Sequence, residues 1–286
     1  MLRRIIALML IVAASSFAQD DNRGIGGSTP KEAASVTQGD YYLLVIGINN
    51  YMHFPKLQTA VNDAQGVRDT LIQRYGFEAA KTVALFDTDA TARRILVELR
   101  QLAQRIGEND SLLVFYAGHG RLDDITKTGA WVPVDGAEDD PTTWLQNKTL
   151  LDYFSVNAIK ARHILLVSDA CFAGDFFSRS ASTPQITDAY VRQAFQKTSR
   201  EAITSGGMEP VTDAGYGGHS VFAHFFLKAL TDNSDPYLMP TAIFERVKGG
   251  ISQNARQQAQ HGLPANTGGE QGGGFVFFLK GAEGNI

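Results

Sequence analysis

The chain has 286 residues, of which 44% are hydrophobic and 20% are charged, with 26 Lys and Arg against 30 Asp and Glu. This composition is typical of a globular protein with one large or two small domains, and it excludes global disorder and collagen-like repeats. A formal net charge of −4 provides no basic field for a phosphate backbone, so we expect no nucleic-acid partner.

The first 18 residues show the order of features found in secretory signal peptides. Arg3 and Arg4 form a positive start, residues 5–14 are an apolar run, and Ser16-Phe17-Ala18 is a small-x-small cleavage site. The apolar run is shorter than the roughly 20 residues of a transmembrane helix. We therefore predict a signal peptide over residues 1–18, in preference to an N-terminal helix kept in the fold. The mature protein is expected to be exported, either periplasmic or secreted, without a membrane anchor.

The region after the predicted cleavage site divides into a leader and a domain. Residues 19–39 are rich in Gly, Ser, Thr and other polar residues, which predicts a flexible leader. One folded domain is predicted over residues 40–286. Within it, residues 175–200 form the longest stretch without clear periodicity, and long loops of this kind tend to be functional or cleavable.

From residue 40 onward, apolar runs alternate with helical spacings. Residues 41–48 (YYLLVIGI) are typical of a strand buried on both faces, and residues 60–75 carry a helical apolar stripe that ends before Gly76. The other predicted strands are 82–86, 111–117, 163–168, 201–204 and 275–279, and the other predicted helices are 91–106, 150–159, 220–230 and 241–260. This alternation predicts an α/β fold with a mostly parallel sheet.

Two motifs follow the most apolar predicted strands, at the edge where open α/β sheets bind ligands. Strand 111–117 is followed by Gly118-His119-Gly120, and strand 163–168 by Asp169-Ala170-Cys171. Cys171 is the only cysteine, so it cannot form an internal disulfide. A thiol beside an imidazole can ionise at neutral pH and attack a carbonyl carbon, which predicts a cysteine hydrolase. The alternative for Cys171 is a small buried apolar residue without chemistry.

The blocks 116–120 (YAGHG) and 168–174 (SDACFAG) resemble those of the caspase, paracaspase and metacaspase superfamily, the clan CD cysteine peptidases, and in particular its bacterial caspase-like, metacaspase-like members. His119 stands about 50 residues before Cys171, as in the caspase signature. The resemblance extends over residues 41–279 and includes Asn62-Asp63-Ala64 and residues 218–222 (GHSVF). It implies a caspase-like three-layer sandwich, with a mostly parallel central sheet flanked by helices on both faces, and cysteine endopeptidase activity.

The resemblance also implies roles for individual residues. Cys171 would be the nucleophile and His119 the general base and acid, and the backbone N–H groups of Gly120 and Cys171 would stabilise the oxyanion. Asp63 and Asp169 would line the pocket for the residue before the cut. The substrates implied are peptides or proteins with Arg or Lys at the cleavage position, with Arg preferred because its planar guanidinium can engage two carboxylates. The alternative for Asp63 is a helix-surface acid or a structural hydrogen-bond acceptor.

No cofactor is expected, and the sequence argues against calcium activation. Asp135 resembles one acid of the calcium site in calcium-dependent metacaspases, but residues 147–151 (NKTLL) offer no paired acids, and Ser178 stands where another acid is expected. His219 and His224 lie five positions apart with no further Cys or His ligand nearby, and we interpret them as structural.

Three alternatives concern the activity as a whole. The chain could be a catalytically silent caspase-like module that binds peptides or proteins, although the presence of both His119 and Cys171 argues against this. The enzyme could instead cut after an acidic or neutral residue. Self-processing is a further hypothesis, because residues 175–200 contain four candidate cleavage positions: Arg179, Arg192, Lys197 and Arg200.

Overall fold

The computed structural model describes residues 38–171, 176–180, 185–206, 215–254 and 258–282. The predicted signal peptide and all but the end of the predicted leader lie outside the described residues. The strands are β1 (Tyr41–Gly47), β2 (Phe77–Phe86), β3 (Ser111–Ala117), β4 (Gly120–Leu122), β5 (Gly129–Trp131), β6 (Leu145–Gln146), β7 (His163–Asp169), β8 (Phe177–Ser180), β9 (Ser199–Thr204), β10 (Tyr237–Leu238), β11 (Gln260–Pro264) and β12 (Phe277–Phe278). The α-helices are α1 (Ala60–Arg74), α2 (Ala92–Arg105), α3 (Asn147–Phe154), α4 (Asp188–Phe195), α5 (Val221–Thr231) and α6 (Pro240–Asn254).

A seven-stranded sheet with the order β2-β1-β3-β7-β9-β11-β8 forms the centre of the fold. The five strands from β2 to β9 pair in parallel, whereas β11 is antiparallel to both β9 and β8. β4, β5 and β6 form a separate small antiparallel sheet. The prediction of an α/β fold with a mostly parallel sheet is confirmed.

Both faces of the central strands are buried, because successive side chains of a strand point to opposite faces. In β1, Leu43 and Val45 pack into the core beneath α1, α4, α5 and α6. Leu44 and Ile46 pack into a second core beneath α2, α3 and the small sheet. The helices therefore cover both faces, which gives the three layers that the resemblance implied. Within the described part of the chain, no helix has the length and apolarity needed to cross a bilayer.

Several predicted bounds are wrong because tertiary packing overrides the local pattern. The strand predicted at 82–86 is the second half of the longer β2. The helix predicted at 150–159 is α3, which ends at Phe154, and the apolar Ile159 is buried outside any helix. The helix predicted at 241–260 is α6, which is described to Asn254, and residues from Gln260 onward form β11, paired with β9. The strand predicted at 275–279 is only β12, which pairs with β10 and not with the central sheet.

The prediction that residues 175–200 lack regular structure is also wrong for its described part. This region contains β8 and α4, whose first turn is capped by Thr187 Oγ1 accepting the Tyr190 N–H at 3.2 Å. Arg179 lies in β8, Arg192 in α4 and Arg200 in β9, and Lys197 lies between α4 and β9. Arg200 is 1% exposed. Three of the four candidate cleavage positions are therefore in regular elements.

Candidate active site

The register between β3 and β7 brings the two predicted catalytic residues to one edge of the sheet. Ala117 pairs with Asp169 at the last position of both strands, and the Gly118 N–H donates to the Asp169 carbonyl at 3.3 Å. His119 and Cys171 each follow this last pair by two residues. Because the strands are parallel and adjacent, both side chains leave the sheet at its carboxyl end, where ligands bind in α/β folds.

Gly120 packs directly against the backbone of Cys171. A Cβ atom at position 120 would overlap the Cys171 carbonyl oxygen and would lie 3.2 Å from the Cys171 nitrogen. Only glycine fits this close approach, which explains the residue type after His119. The two backbone N–H groups predicted to stabilise the oxyanion therefore belong to segments in direct contact.

Backbone and ring contacts hold His119 in place. Its N–H donates to the Tyr51 hydroxyl at 2.7 Å, and its ring centroid lies 4.7 Å from that of Tyr51 and 5.7 Å from that of Phe54. Nε2 lies 2.8 Å from the Pro55 carbonyl oxygen. Since a carbonyl only accepts, Nε2 carries the hydrogen, and Nδ1 is the nitrogen that can take a proton.

Tyr116 supports the same loop from inside the sheet. Its hydroxyl lies 2.7 Å from the His119 carbonyl oxygen and 3.0 Å from the Val132 carbonyl oxygen, and it can donate to either. Burial raises the pKa of Tyr116 well above its usual value, and the nearby Tyr51 hydroxyl and the Cys171 thiolate raise it further. Tyr116 is therefore a neutral donor at all physiological pH values.

Ser220 joins the two predicted pocket acids. Its backbone N–H lies 3.3 Å from both carboxylate oxygens of Asp63, and its hydroxyl donates to Asp169 Oδ2 at 2.5 Å. The same hydroxyl oxygen accepts the Ala223 N–H at 2.9 Å and so caps α5. Asp63 is 1% exposed and Asp169 is 6% exposed. Two buried carboxylates thus meet at the start of α5, on the face of the sheet that α1 covers.

His219 contacts Asp63, one of the two predicted pocket acids, and the sequence did not indicate this contact. Its Nδ1 lies 2.7 Å from Asp63 Oδ1, and the side chain is 22% exposed. Burial lowers the pKa of His219, so the ring is neutral at pH 7 and donates its Nδ1 hydrogen to Asp63. Gly66 of α1 leaves room for the ring, because a Cβ atom there would lie 3.2 Å from His219 Cε1. The signal for this contact was the block 218–222, which the resemblance included without a role.

Asp135, one of the residues discussed for calcium, has another role in the fold. Asp135 Oδ1 accepts the Ala92 N–H at 2.9 Å and so stabilises the first turn of α2. Asn147 is buried at the start of α3 and supplies an amide, not a carboxylate. The Ser178 side chain lies outside the described part of the chain. Among the described residues, no group of three or more His, Cys, Asp or Glu side chains could hold a metal ion.

A histidine and a cysteine at neighbouring strand ends, with acids on one side, are the parts of a thiol-hydrolase site. The caspase domain family matches residues 41–268, and the chain belongs to that caspase/metacaspase family of cysteine peptidases. The prediction of the superfamily is confirmed.

Curated relatives are metacaspases from fungi and plants. The chain is 33% identical to Metacaspase-1 of Eremothecium gossypii over 108 residues, which are 36% of this chain and 22% of that protein. It is 33% identical to Metacaspase-1 of Cryptococcus neoformans over 126 residues (41% and 26%), and 25% identical to Metacaspase-4 of Arabidopsis thaliana over 177 residues (57% and 40%). The matches thus span less than half of each relative.

A solved structure supports the fold. Protein GSU0716 from Geobacter sulfurreducens superposes with a TM-score of 0.57 at 18% identity, and the match covers 83% of this chain and all of that one.

Proposed function

We propose that the protein is a cysteine endopeptidase that hydrolyses peptide bonds after basic residues, with Arg preferred over Lys. The observation that supports this most directly is the β3–β7 register, in which Ala117 pairs with Asp169, because His119 and Cys171 each follow this pair by two residues. The backbone of Gly120 also contacts that of Cys171, which supports the proposed pair of N–H donors.

The chemistry follows from the orientation of His119. Nδ1 takes the Cys171 thiol proton, and the thiolate attacks the carbonyl carbon of the substrate. The Gly120 and Cys171 N–H groups stabilise the negative oxygen of the tetrahedral intermediate. The imidazolium then returns the proton to the leaving amine, which leaves a thioester on Cys171. Water, deprotonated by the same imidazole, hydrolyses this thioester and regenerates the thiol.

The preference for a basic residue rests on Asp63 and Asp169. Ser220 bonds to both carboxylates, and Asp169 is the last residue of β7, two positions before Cys171. Their combined negative charge favours a long cationic side chain and disfavours an acidic one. A guanidinium has donors for both acids, whereas an ammonium is a compact point charge, so we expect Arg to exceed Lys.

Fluorogenic peptides ending in Arg, Lys or Asp test this proposal. The wild-type protein should release the fluorophore from Arg and Lys peptides, with and without calcium. Cys171→Ala should abolish release, and Asp169→Asn should raise KM for Arg peptides. His224→Ala is the matched control, because His224 packs against Tyr216 and Phe225. Release from the Asp peptide alone would contradict the proposed preference. No release at all would favour the peptide-binding module, and the alkylation rate of Cys171 would separate that module from a latent zymogen.

Export and self-processing are part of the same proposal. We propose that residues 1–18 direct export and are then removed. Cell fractionation with mass spectrometry should find a mature chain that begins at Gln19 outside the cytoplasm. We also propose that an active preparation cuts itself after Lys197, the only one of the four candidates outside the described strands and helices. An active preparation that stays a single intact chain would contradict self-processing.

A further inference from the structure

A cavity of about 420 Å³ lies beside the small sheet, apart from the paired acids. Its walls come from the loop after β4, the turn at Pro141–Thr143, β6 and the first turn of α3. Trp144 and Pro141 supply the apolar part of the wall, and Asp123, Gln146 and Lys148 supply an acid, an amide and a cation. Nothing in the proposed chemistry uses this space.

The cavity presents one carboxylate suited to a ligand with N–H groups. Gln146 also lines the wall, but its Oε1 atom is buried beneath the surface and is not an acceptor for a ligand in the cavity. Asp123 is 9% exposed. The N–H groups of Ile125 and Thr126 donate to its carboxylate and lower the pKa of Asp123, so it stays ionised. The Trp144 indole N–H already donates to the Ala137 carbonyl at 2.8 Å, so only its ring face is left to contact a ligand.

The cations near the cavity are paired with acids of their own. Lys148 Nζ lies 3.1 Å from an Asp152 carboxylate oxygen. Arg121, on β4, lies 3.0 Å from Glu138. A carboxylate beside an indole ring favours a long cationic side chain, because its stem can pack on the ring while its head donates to the carboxylate.

A row of rings connects the cavity to His119. The Phe54 centroid lies 5.7 Å from that of His119 and 6.3 Å from that of Trp144. The general acid protonates the leaving amine, so the residues after the cleaved bond lie on the His119 side of the site. An extended peptide advances by about 3.3 Å per residue. These spacings place the cavity two to four residues beyond the cleaved bond.

The paired acids and the cavity lie on opposite faces of the central sheet. Asp63 and Ser220 belong to α1 and the start of α5, which pack on one face. Trp144 and Phe54 belong to the core on the other face. A peptide that enters at the acids and crosses the strand ends at Cys171 and His119 therefore runs toward the cavity.

We propose that this cavity binds a Lys or Arg side chain of the substrate, two to four residues after the cleaved bond. The inference rests on the proposed function, because it needs a peptide chain that is cut at Cys171. The head of the side chain would donate to the Asp123 carboxylate, and its stem would pack on Trp144. The protein then recognises two basic residues at a fixed spacing, not one.

Internally quenched peptides provide the test. Each peptide carries Arg at the cleavage position and either Arg or Ala at the second, third or fourth residue after the bond. A peptidyl-Arg-aminomethylcoumarin has no residue in that region and reports the chemistry alone. All assays contain EDTA, so that no metal ion occupies the cavity. The variant is Asp123→Asn, which keeps an acceptor for the two loop N–H groups, and the matched control is Asp124→Asn, one residue further in the same loop.

We expect a second Arg to raise kcat/KM at least tenfold over Ala at one of the three positions. Asp123→Asn should remove this preference and leave coumarin release unchanged, whereas Asp124→Asn should keep the preference. The inference is overturned if no position shows a preference, if the preference survives in Asp123→Asn, or if that variant slows coumarin release to the same extent. If the wild-type protein releases no coumarin, the proposed function fails and the inference fails with it.

Discussion

Ser220 links three parts of the fold, and its removal should cost more than the loss of a helix cap. The hydroxyl caps α5 through the Ala223 N–H and donates to the buried Asp169 carboxylate at 2.5 Å. A lost cap costs about 1 kcal/mol. A lost hydrogen bond to a buried charged group costs roughly 1.5–3 kcal/mol. Ser220→Ala should therefore lower the free energy of unfolding by about 2.5–4 kcal/mol.

Urea unfolding followed by circular dichroism measures this loss, and Thr91→Ala is the matched control. Thr91 caps α2 by accepting the Arg94 N–H at 3.2 Å. Thr91→Ala should therefore lose only the cap, about 1 kcal/mol. Ser220→Thr keeps a hydroxyl and should recover most of the stability. If Ser220→Ala costs no more than Thr91→Ala, the bond to Asp169 contributes nothing and the reasoning is wrong.

Three further predictions concern other parts of the fold. Gly120→Ala should reduce turnover of an Arg peptide about 100-fold, because the added Cβ displaces the Cys171 backbone. Gly107→Ala is the control and should leave turnover unchanged, because its Cβ would lie 3.4 Å from the nearest side-chain oxygen. Burial lowers the pKa of His163 from 6.5 to about 3, so between these pH values the unfolded chain binds a proton that the native state does not. The free energy of unfolding should therefore fall as the pH drops from about 6.5 towards 3. This loss reaches roughly 1.4 kcal/mol per pH unit, and His163→Gln should show a shallower pH dependence in urea unfolding. Burial also lowers the pKa of Arg200 to about 10, so the guanidinium is charged at pH 7. Arg200→Met should lower the free energy of unfolding by about 3 kcal/mol or more, because it leaves several buried carbonyls without donors. A urea midpoint equal to that of the wild-type protein would contradict this.

The sequence predicted the central strands well because each is a continuous apolar run. The strand predicted at 111–117 matches β3. β4, β5 and β6 are two or three residues long, too short to show a period of two. β11 exists because β9 and β8 flank it, and such pairing depends on distant segments that no local window contains.

The residues of the candidate site also fall into two groups: those that the local sequence pattern predicts and those whose contacts depend on distant segments. His119, Cys171 and Asp169 could be predicted because they follow strands whose positions were clear. The roles of Ser220 and His219 could not, because the contacts with Asp63 join residues more than 150 positions apart. The sequence predicted a helix over 220–230 but could not show that the Ser220 hydroxyl caps α5 and also reaches Asp169.

The chain has two tryptophans, and both are tied to the loop that carries His119. Trp131 stacks on Tyr116 with ring centroids 4.2 Å apart, and the Tyr116 hydroxyl lies within hydrogen-bond distance of the His119 carbonyl. Trp144 packs against Phe54, and Phe54 in turn packs against the His119 ring. Trp131 and Trp144 are both buried, so global denaturation changes their emission. A change in indole emission on ligand binding, without unfolding, reports on the surroundings of His119 without a label.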